Sequence, residues 1–187
     1  MKKIKILSII LMFVLVLSGC SNKTTGTTEY ILPADDSFTD YLLDDAGIAY
    51  TPTFLFYEDG KLMFFDDGEF NPEEFTELYE NSKKSVEELA ELYPADPSDY
   101  EYSVRRYNKQ GLVIYSNTLT TTDGSKINLS KIKGSICIEV VQTSCSHCKV
   151  QLKEHMDKIR EEHPEITFII YFINADNQGI EDFYKSL

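Results

Sequence analysis

Four consecutive residues, Cys145-Ser146-His147-Cys148, carry the clearest chemical pattern in the chain. They follow the apolar run 135–141, which predicts a strand, and they precede a pattern with helical periodicity. A helix that begins at Cys145 directs unpaired backbone N–H groups and its positive dipole end at the sulfur, which favours the thiolate. Cys148, one turn later, is placed to attack a mixed disulfide on Cys145. The spacing predicts a redox dithiol with Cys145 as nucleophile and Cys148 as resolving cysteine.

Two other interpretations of this pair stay open. One is half of a zinc site, which requires two further ligands, and the other is a chance pair of small residues. The remaining cysteines are Cys20 and Cys137, so a four-thiolate site would have to include a membrane-proximal residue. Cys137 lies inside the apolar run, and we expect it to be a buried core thiol.

The amino-terminal residues predict export and lipid attachment. Lys2, Lys3 and Lys5 lie at the start of the chain, the apolar run 4–17 extends beyond them and small residues follow it, which is the order of an export signal. The run is short for a transmembrane helix. Leu17-Ser18-Gly19-Cys20 resembles the lipobox of bacterial lipoproteins, and this resemblance implies cleavage after residues 1–19 and diacylglycerol on the Cys20 thiol. An uncleaved amphiphilic anchor is the alternative.

The lipobox resemblance implies a protein anchored by lipid to the extracytoplasmic face of a bacterial cell membrane. Two acyl chains suffice for stable anchoring, and disulfides persist outside the cytoplasm. Residues 20–35 are predicted to be the lipidated cysteine and a flexible tether. Loss of the three lysines in 1–19 takes the formal net charge from −13 to −16, which disfavours nucleic acid as a partner. We expect no metal and no cofactor except the lipid and the redox-active disulfide.

Periodicity and capping residues predict an α/β fold. Residues 94–111 contain two prolines and no clean period, and we assign them as a connector. The expected elements are a short helix over 36–45, a hairpin of strands over 51–57 and 61–66, helices from Asn71-Pro72 and from Ser85, a strand over 112–115, a turn at Asp123-Gly124, buried strands over 136–141 and 166–173 flanking the dithiol helix, and a last helix from Gly179.

Residues 118–187, with the entry segment 119–134 and the Cys145–Cys148 motif, resemble membrane-anchored extracytoplasmic thioredoxin-like proteins. In that family these elements are the front half of the fold, and a back half follows that begins at a cis-proline opposite the dithiol. Residues 47–61 with 71–74 resemble that back half, and Thr51-Pro52 stands at the cis-proline position. The resemblance implies a substrate groove shaped by Thr51 and Pro52. It also implies a thiol–disulfide oxidoreductase that acts on protein thiols and disulfides and is recycled by a membrane redox partner.

The two halves stand in inverted order, and three arrangements are possible. A circular permutation uses every element once, with 36–93 as back half and 112–187 as front half of one thioredoxin-like fold of a mixed sheet flanked by helices. We favour it because complementary halves bury both sheet faces. A fusion of two truncated modules is suggested by the similarity of 31–41 to 173–184, but it leaves open sheet edges. A sequence without its natural continuation is the third arrangement.

The resemblance also implies roles for two residues near the dithiol. Glu139 stands where the family often keeps a buried acid, and strand alternation turns it inward with Val141. A buried carboxylate has a raised pKa and can take the proton from Cys148; a solvent-facing glutamate is the alternative. A partly charged imidazole at His147 would stabilise the Cys145 thiolate and raise the reduction potential above that of thioredoxin. An ordinary surface histidine is the alternative.

The chain departs from the family pattern at two positions. Ser144 replaces the tryptophan that usually precedes the first cysteine, and the chain contains no tryptophan, so we expect less aromatic docking surface. Phe172 stands near the place of a lysine that assists the buried acid in some members. These departures favour a second interpretation, a non-catalytic thioredoxin-like surface lipoprotein that binds a protein partner or a metal ion.

Overall fold

A computed structural model describes residues 27–94 and 107–187 of the chain. Within these ranges the strands form one five-stranded mixed sheet and one two-stranded sheet. The strands are β1 (Glu29–Leu32), β2 (Thr53–Glu58), β3 (Lys61–Asp67), β4 (Thr118–Thr120), β5 (Lys126–Asn128), β6 (Ser135–Val141) and β7 (Thr167–Phe172). The predicted α/β class is confirmed.

The five-stranded sheet brings the two predicted halves together in the order β1-β7-β6-β2-β3. The dithiol strand β6 lies at its centre, parallel to β7 and antiparallel to β2. Strand β1 pairs parallel with β7, and β2 and β3 form the predicted hairpin. Glu139 on β6 stands opposite Phe54 on β2, so residues far apart in sequence are neighbours in the sheet.

Local capping determines where most of the helices begin. Asn71 and Ser85 each form the predicted capping box, and Pro72 occupies the first helical turn. Asp35 and Asp176 cap two other helices through their side chains. The helices are α1 (Asp36–Asp40) continued by a π-turn (Tyr41–Ala46), α2 (Pro72–Ser82), α3 (Val86–Leu92), a 3₁₀ turn (Leu129–Lys131), α4 (Ser146–Val150), a π-turn (Gln151–His155), α5 (Met156–Glu162) and α6 (Asn177–Lys185).

Helices cover both faces of the main sheet, and β6 contributes to a core on each side. Cys137 and Val141 pack into the core beneath α2, α4, α5 and α6. Ile136, Ile138 and Val140 pack into the opposite core with α1 and the β4–β5 hairpin. This alternation is the reason for the uninterrupted apolar run in β6, because a central strand is buried on both faces.

Two predicted boundaries are wrong. Part of the predicted tether 20–35 belongs to the fold, because β1 pairs with β7 and protects its edge. The expected strand over 112–115 is reduced to one bridge between Val113 and Lys61. The backbone hydrogen bonds of this segment go to Gly60 and Leu62 at the turn of the β2–β3 hairpin. The segment therefore packs around the turn and does not form a further strand of the sheet.

Several predictions fall on parts of the chain that the structure does not describe. The signal peptide 1–19, the lipidation site Cys20, residues 21–26 of the tether and residues 95–106 of the connector lie outside the described residues. Of the helices in 27–94 and 107–187, none is both long and apolar enough to cross a membrane.

Candidate active site

The two cysteines lie where β6 gives way to a helix. Cys145 is the N-cap of α4, and its sulfur accepts a hydrogen bond from the Cys148 backbone N–H at 3.0 Å. The two residues form a disulfide. Cys148 is fully buried, whereas Cys145 is only partly buried. The sequence placed the helix start and the dithiol correctly, and the burial difference makes Cys145 the sulfur that a protein partner can reach.

The Thr51-Pro52 segment lies directly against the outer cysteine. The Thr51-Pro52 peptide bond is cis, as the family resemblance of this segment implied. The Thr51 carbonyl oxygen is 3.4 Å from the Cys145 sulfur, across 94 positions of sequence. Pro52 itself is buried at the start of β2. The contact that the permuted arrangement requires between the amino-terminal half and the dithiol is therefore present.

Glu139 is buried on the same face of β6 as Cys137 and Val141. Its side chain is fully buried, and neither carboxylate oxygen has a hydrogen-bond partner. Burial raises its pKa to about 8, an effect that Arg160 opposes and that Glu29 reinforces. An acid in this state can hold or accept a proton near neutral pH. Because Cys137, Val141 and Cys148 belong to one core, Glu139 faces the same side of the sheet as Cys148.

The expected lysine position near Glu139 is occupied by an aromatic residue, Phe172, and not by a charged one. Phe172 is fully buried, and its ring meets that of Phe183 edge-on at 5.2 Å. Cys137 is a free, buried thiol, as predicted, and burial followed by the Glu139 charge raises its pKa well above the ordinary value. A neutral, inaccessible thiol is a poor nucleophile, so we do not expect Cys137 to react with a partner.

His147 lies on the exposed side of the dithiol. Its side chain is 73% exposed, and its Nδ1 atom is 3.0 Å from the Glu69 carboxylate. Glu69 also faces His155, whose Nε2 atom lies 3.5 Å from the other carboxylate oxygen. The histidine predicted from the motif is therefore not an isolated surface group, because it takes part in a bridge of three titratable side chains.

A surface cleft adjoins the dithiol. Thr51 and Pro52, which the sequence assigned to the groove, line it together with His147. Tyr50 is 61% exposed and adds aromatic surface to its wall. The reduction in aromatic surface that Ser144 implies is thus offset by a tyrosine from a different part of the chain. The cleft residues are Tyr50, Thr51, Pro52, Asp67, Gly68, Glu69 and His147.

Sequence reasoning missed four residues of this region. Gln151, three positions after Cys148, could have been found from helical spacing, since it falls on the same buried side. Glu69, His155 and Tyr50 carried no signal, because only the tertiary fold brings them beside residues 78 or more positions away. Gln151 is fully buried, and its Oε1 atom accepts a hydrogen bond from the Phe70 backbone N–H at 2.7 Å.

The described ranges contain no group of three His, Cys, Asp or Glu side chains arranged to hold a metal ion. Comparisons with protein-family models, curated proteins and solved structures find no match to this chain.

Proposed function

We propose that this protein is a thiol–disulfide oxidoreductase of thioredoxin-like fold that exchanges disulfides with protein substrates through Cys145 and Cys148. The observation that carries the proposal is the contact of the partly buried Cys145 sulfur with Thr51, at the start of a helix and with Cys148 buried behind it. This arrangement presents one sulfur to a partner and withholds the other. It is the geometry that sequential attack and resolution require.

We also propose that the fold is a single thioredoxin-like domain whose two halves stand in permuted order. The sheet order β7-β6-β2-β3, in which β2 is antiparallel to β6 and β6 is parallel to β7, agrees with a thioredoxin-like core in permuted order. Strand β6 with α4 and β7 supplies the front half, and β2, β3 and α2 supply the back half. The fusion model assigns β1–α1 and β7–α6 to separate modules, yet Ala34 N–H donates to Ala175 O at 2.9 Å across them. One permuted domain accounts for this contact directly.

The exchange proceeds in two steps, attack by Cys145 and resolution by Cys148. The Cys145 thiolate attacks one sulfur of a substrate disulfide, a new S–S bond forms, and the other substrate sulfur leaves and takes a proton. The Cys148 thiol then gives its proton to the Glu139 carboxylate and attacks the Cys145 sulfur. The Cys145–Cys148 disulfide forms, the second substrate sulfur leaves as a thiolate that takes a proton from solvent, and Glu139 returns its proton to solvent. Two electrons pass from the dithiol to the substrate, and the reverse sequence oxidises a substrate dithiol.

The setting of this activity follows from the lipobox resemblance. We propose that Cys20 carries diacylglycerol and holds the domain at the extracytoplasmic face of a bacterial cell membrane. In that location the protein meets secreted substrates whose disulfides persist. A membrane redox partner then returns Cys145 and Cys148 to their working state. Labelling with a radioactive fatty acid, in the natural protein and in Cys20→Ala, tests the anchor separately from the exchange activity.

The exchange activity is tested by replacing both site cysteines with serine. Cys145→Ser/Cys148→Ser is expected to abolish disulfide transfer to a reduced model peptide, measured by thiol alkylation and mass spectrometry. Cys137→Ala is the matched cysteine control, because that thiol is buried in the core and should leave transfer intact. Undiminished transfer by the double variant contradicts the proposal. The proposal is also contradicted if the wild-type dithiol does not convert between its oxidised and reduced forms in glutathione buffers. That result would favour a binding module.

A further inference from the structure

Segment 68–70, which connects β3 to α2, is attached at both ends to the candidate active site. The Gly68 backbone N–H donates to the Pro52 carbonyl oxygen at 2.9 Å. Two residues later, the Phe70 N–H donates at 2.7 Å to the Oε1 atom of Gln151, in the π-turn that continues the dithiol helix. The segment therefore joins the cis-proline turn to the dithiol helix, and it does so across the two halves of the chain.

The backbone of this segment has little freedom to adjust. Gly68 has a φ of +136°, a conformation that favours glycine. A Cβ atom at this position would lie 3.4 Å from the Phe70 ring. That ring packs edge-on against Phe54, with 5.6 Å between the ring centroids. A displacement at Phe70 is therefore transmitted to Gly68 and to the proline turn that Gly68 contacts.

Packing alone does not account for a glutamine at position 151. The Gln151 side chain is fully buried, and its Nε2 atom has no hydrogen-bond partner among the described residues. A buried amide group without a partner costs stability. A methionine would fill a similar volume without this cost, but it would offer the Phe70 N–H no comparable acceptor. The bond from Phe70 to Oε1 is the contact that only the amide supplies.

We propose that Gln151 is a positioning residue for peptide substrates: it holds segment 68–70 and the Thr51-Pro52 turn beside the dithiol. This inference rests on the proposed exchange function and names the class of substrate that the site favours. The Thr51 carbonyl oxygen lies 3.4 Å from the Cys145 sulfur, and the turn lines the cleft. A peptide must contact the cleft to bring its disulfide to this sulfur, whereas a small disulfide needs only the sulfur itself. Correct placement of the turn therefore favours peptide disulfides over small ones.

Glu69 supplies a second link between the same elements. Its carboxylate lies 3.0 Å from His147 and 3.5 Å from His155, and the His147 side chain is largely exposed. Exposed ion pairs contribute little to stability, whereas a hydrogen bond to a fully buried group such as Gln151 is stronger. We therefore expect the segment to loosen when position 151 loses its acceptor, even with the Glu69 contacts in place.

The first experiment measures amide hydrogen exchange by NMR in the disulfide form. Gln151→Met removes the acceptor and keeps a side chain of similar volume. Exchange should become about fivefold faster at Phe70, which loses its partner, and also at Gly68, which does not. Gly68 is the informative residue because its N–H reports on the proline turn. Exchange at Gly68 that stays at the wild-type rate overturns the inference. This readout does not depend on turnover.

Two further variants complete the experiment. Gln151→Asn has a side chain too short to reach the Phe70 N–H and should have the same effect, so it decides the result if Gln151→Met does not fold. Thr76→Val is the matched control. It removes a 2.9 Å hydrogen bond to His163, which joins the same two halves at the end of the sheet opposite to the dithiol. Exchange at Gly68 should be unchanged in this control. An equal increase there would reflect general loosening of the fold and would overturn the inference.

The second experiment compares two substrates of the reduced protein, a short cyclic peptide closed by one disulfide and hydroxyethyl disulfide. Both Gln151 variants should raise KM for the peptide about fivefold, leave kcat unchanged and alter the rate with hydroxyethyl disulfide by less than about twofold. Equal loss with both substrates, or no loss with the peptide, overturns the inference. If the wild-type protein reacts with neither substrate, the proposed function fails, while exchange at Gly68 still decides whether Gln151 holds the segment.

Discussion

The two sides of the dithiol differ in almost every physical property. The outer side carries Cys145 and His147 and opens to a cleft with polar and aromatic walls. The inner side carries Cys148 on α4 and Glu139 on β6, and both are fully buried. A reaction that begins with binding of a large partner needs the open outer side. A reaction that ends with an internal proton transfer needs the buried inner side. The contrast supports the proposed roles of the two sulfurs, with Cys145 as the sulfur that is attacked from outside and Cys148 as the one that resolves.

The sharpest test of this contrast is to replace each cysteine by itself. Cys145→Ser should reduce exchange with a protein disulfide to background, because the buried Cys148 sulfur cannot reach a partner. Cys148→Ser should instead accumulate a stable mixed disulfide on Cys145, because attack occurs and resolution does not. Non-reducing electrophoresis after acid quenching distinguishes the two outcomes. Mixed disulfide that forms equally well on Cys148 would show that the inner and outer roles are misassigned.

The next test concerns proton transfer on the inner side. Glu139→Gln keeps the volume of the side chain but cannot accept a proton, and it should slow resolution of the mixed disulfide by about 100-fold. The first attack, which takes place on the outer side, should keep its rate. Rapid-quench measurement of both steps separates them. Equal slowing of attack and resolution would mean that Glu139 supports the structure and not the proton transfer.

Glu139 should also make stability depend on pH. Its folded-state pKa of about 8 exceeds the ordinary value of 4.5, so the native state binds more protons between these pH values. The free energy of unfolding should therefore fall as pH rises through this window, by at most about 1.4 kcal/mol per unit. Glu139→Gln removes this contribution.

The measurement is urea unfolding of both proteins at pH 5, 6, 7 and 8. The stability of Glu139→Gln relative to the wild type should increase with pH, from its lowest value at pH 5 to its highest at pH 8. A constant difference between the two proteins across this range would place the pKa of the carboxyl outside the window. Glu161→Gln, which changes an exposed charge, should run parallel to the wild type.

The sequence was most informative where local rules determine structure. The helix start at Cys145, the capping boxes and the inward orientation of Glu139 follow from spacing, capping and strand alternation. Strand β1 was missed because it is short and is stabilised by pairing with β7, a contact invisible in the local pattern. The Glu69 bridge was missed for the same reason, since no local rule places a loop after β3 beside His147.

The smallest of the expected effects concerns Tyr50 on the outer side. Its ring is 61% exposed beside Thr51-Pro52, so it can cover part of a bound peptide without taking part in proton transfer. Tyr50→Ala should raise KM for a peptide substrate about fivefold, or about 1 kcal/mol, and leave kcat unchanged. Leu92→Ala truncates a similarly exposed apolar side chain on α3 and should leave KM unchanged. A fall in kcat for Tyr50→Ala would instead indicate that the ring orients Thr51, because a displaced Thr51 carbonyl would alter the surroundings of the Cys145 sulfur 3.4 Å away. The outer side would then control chemistry as well as binding, and the division between the two sides of the dithiol would be less complete than their burial suggests.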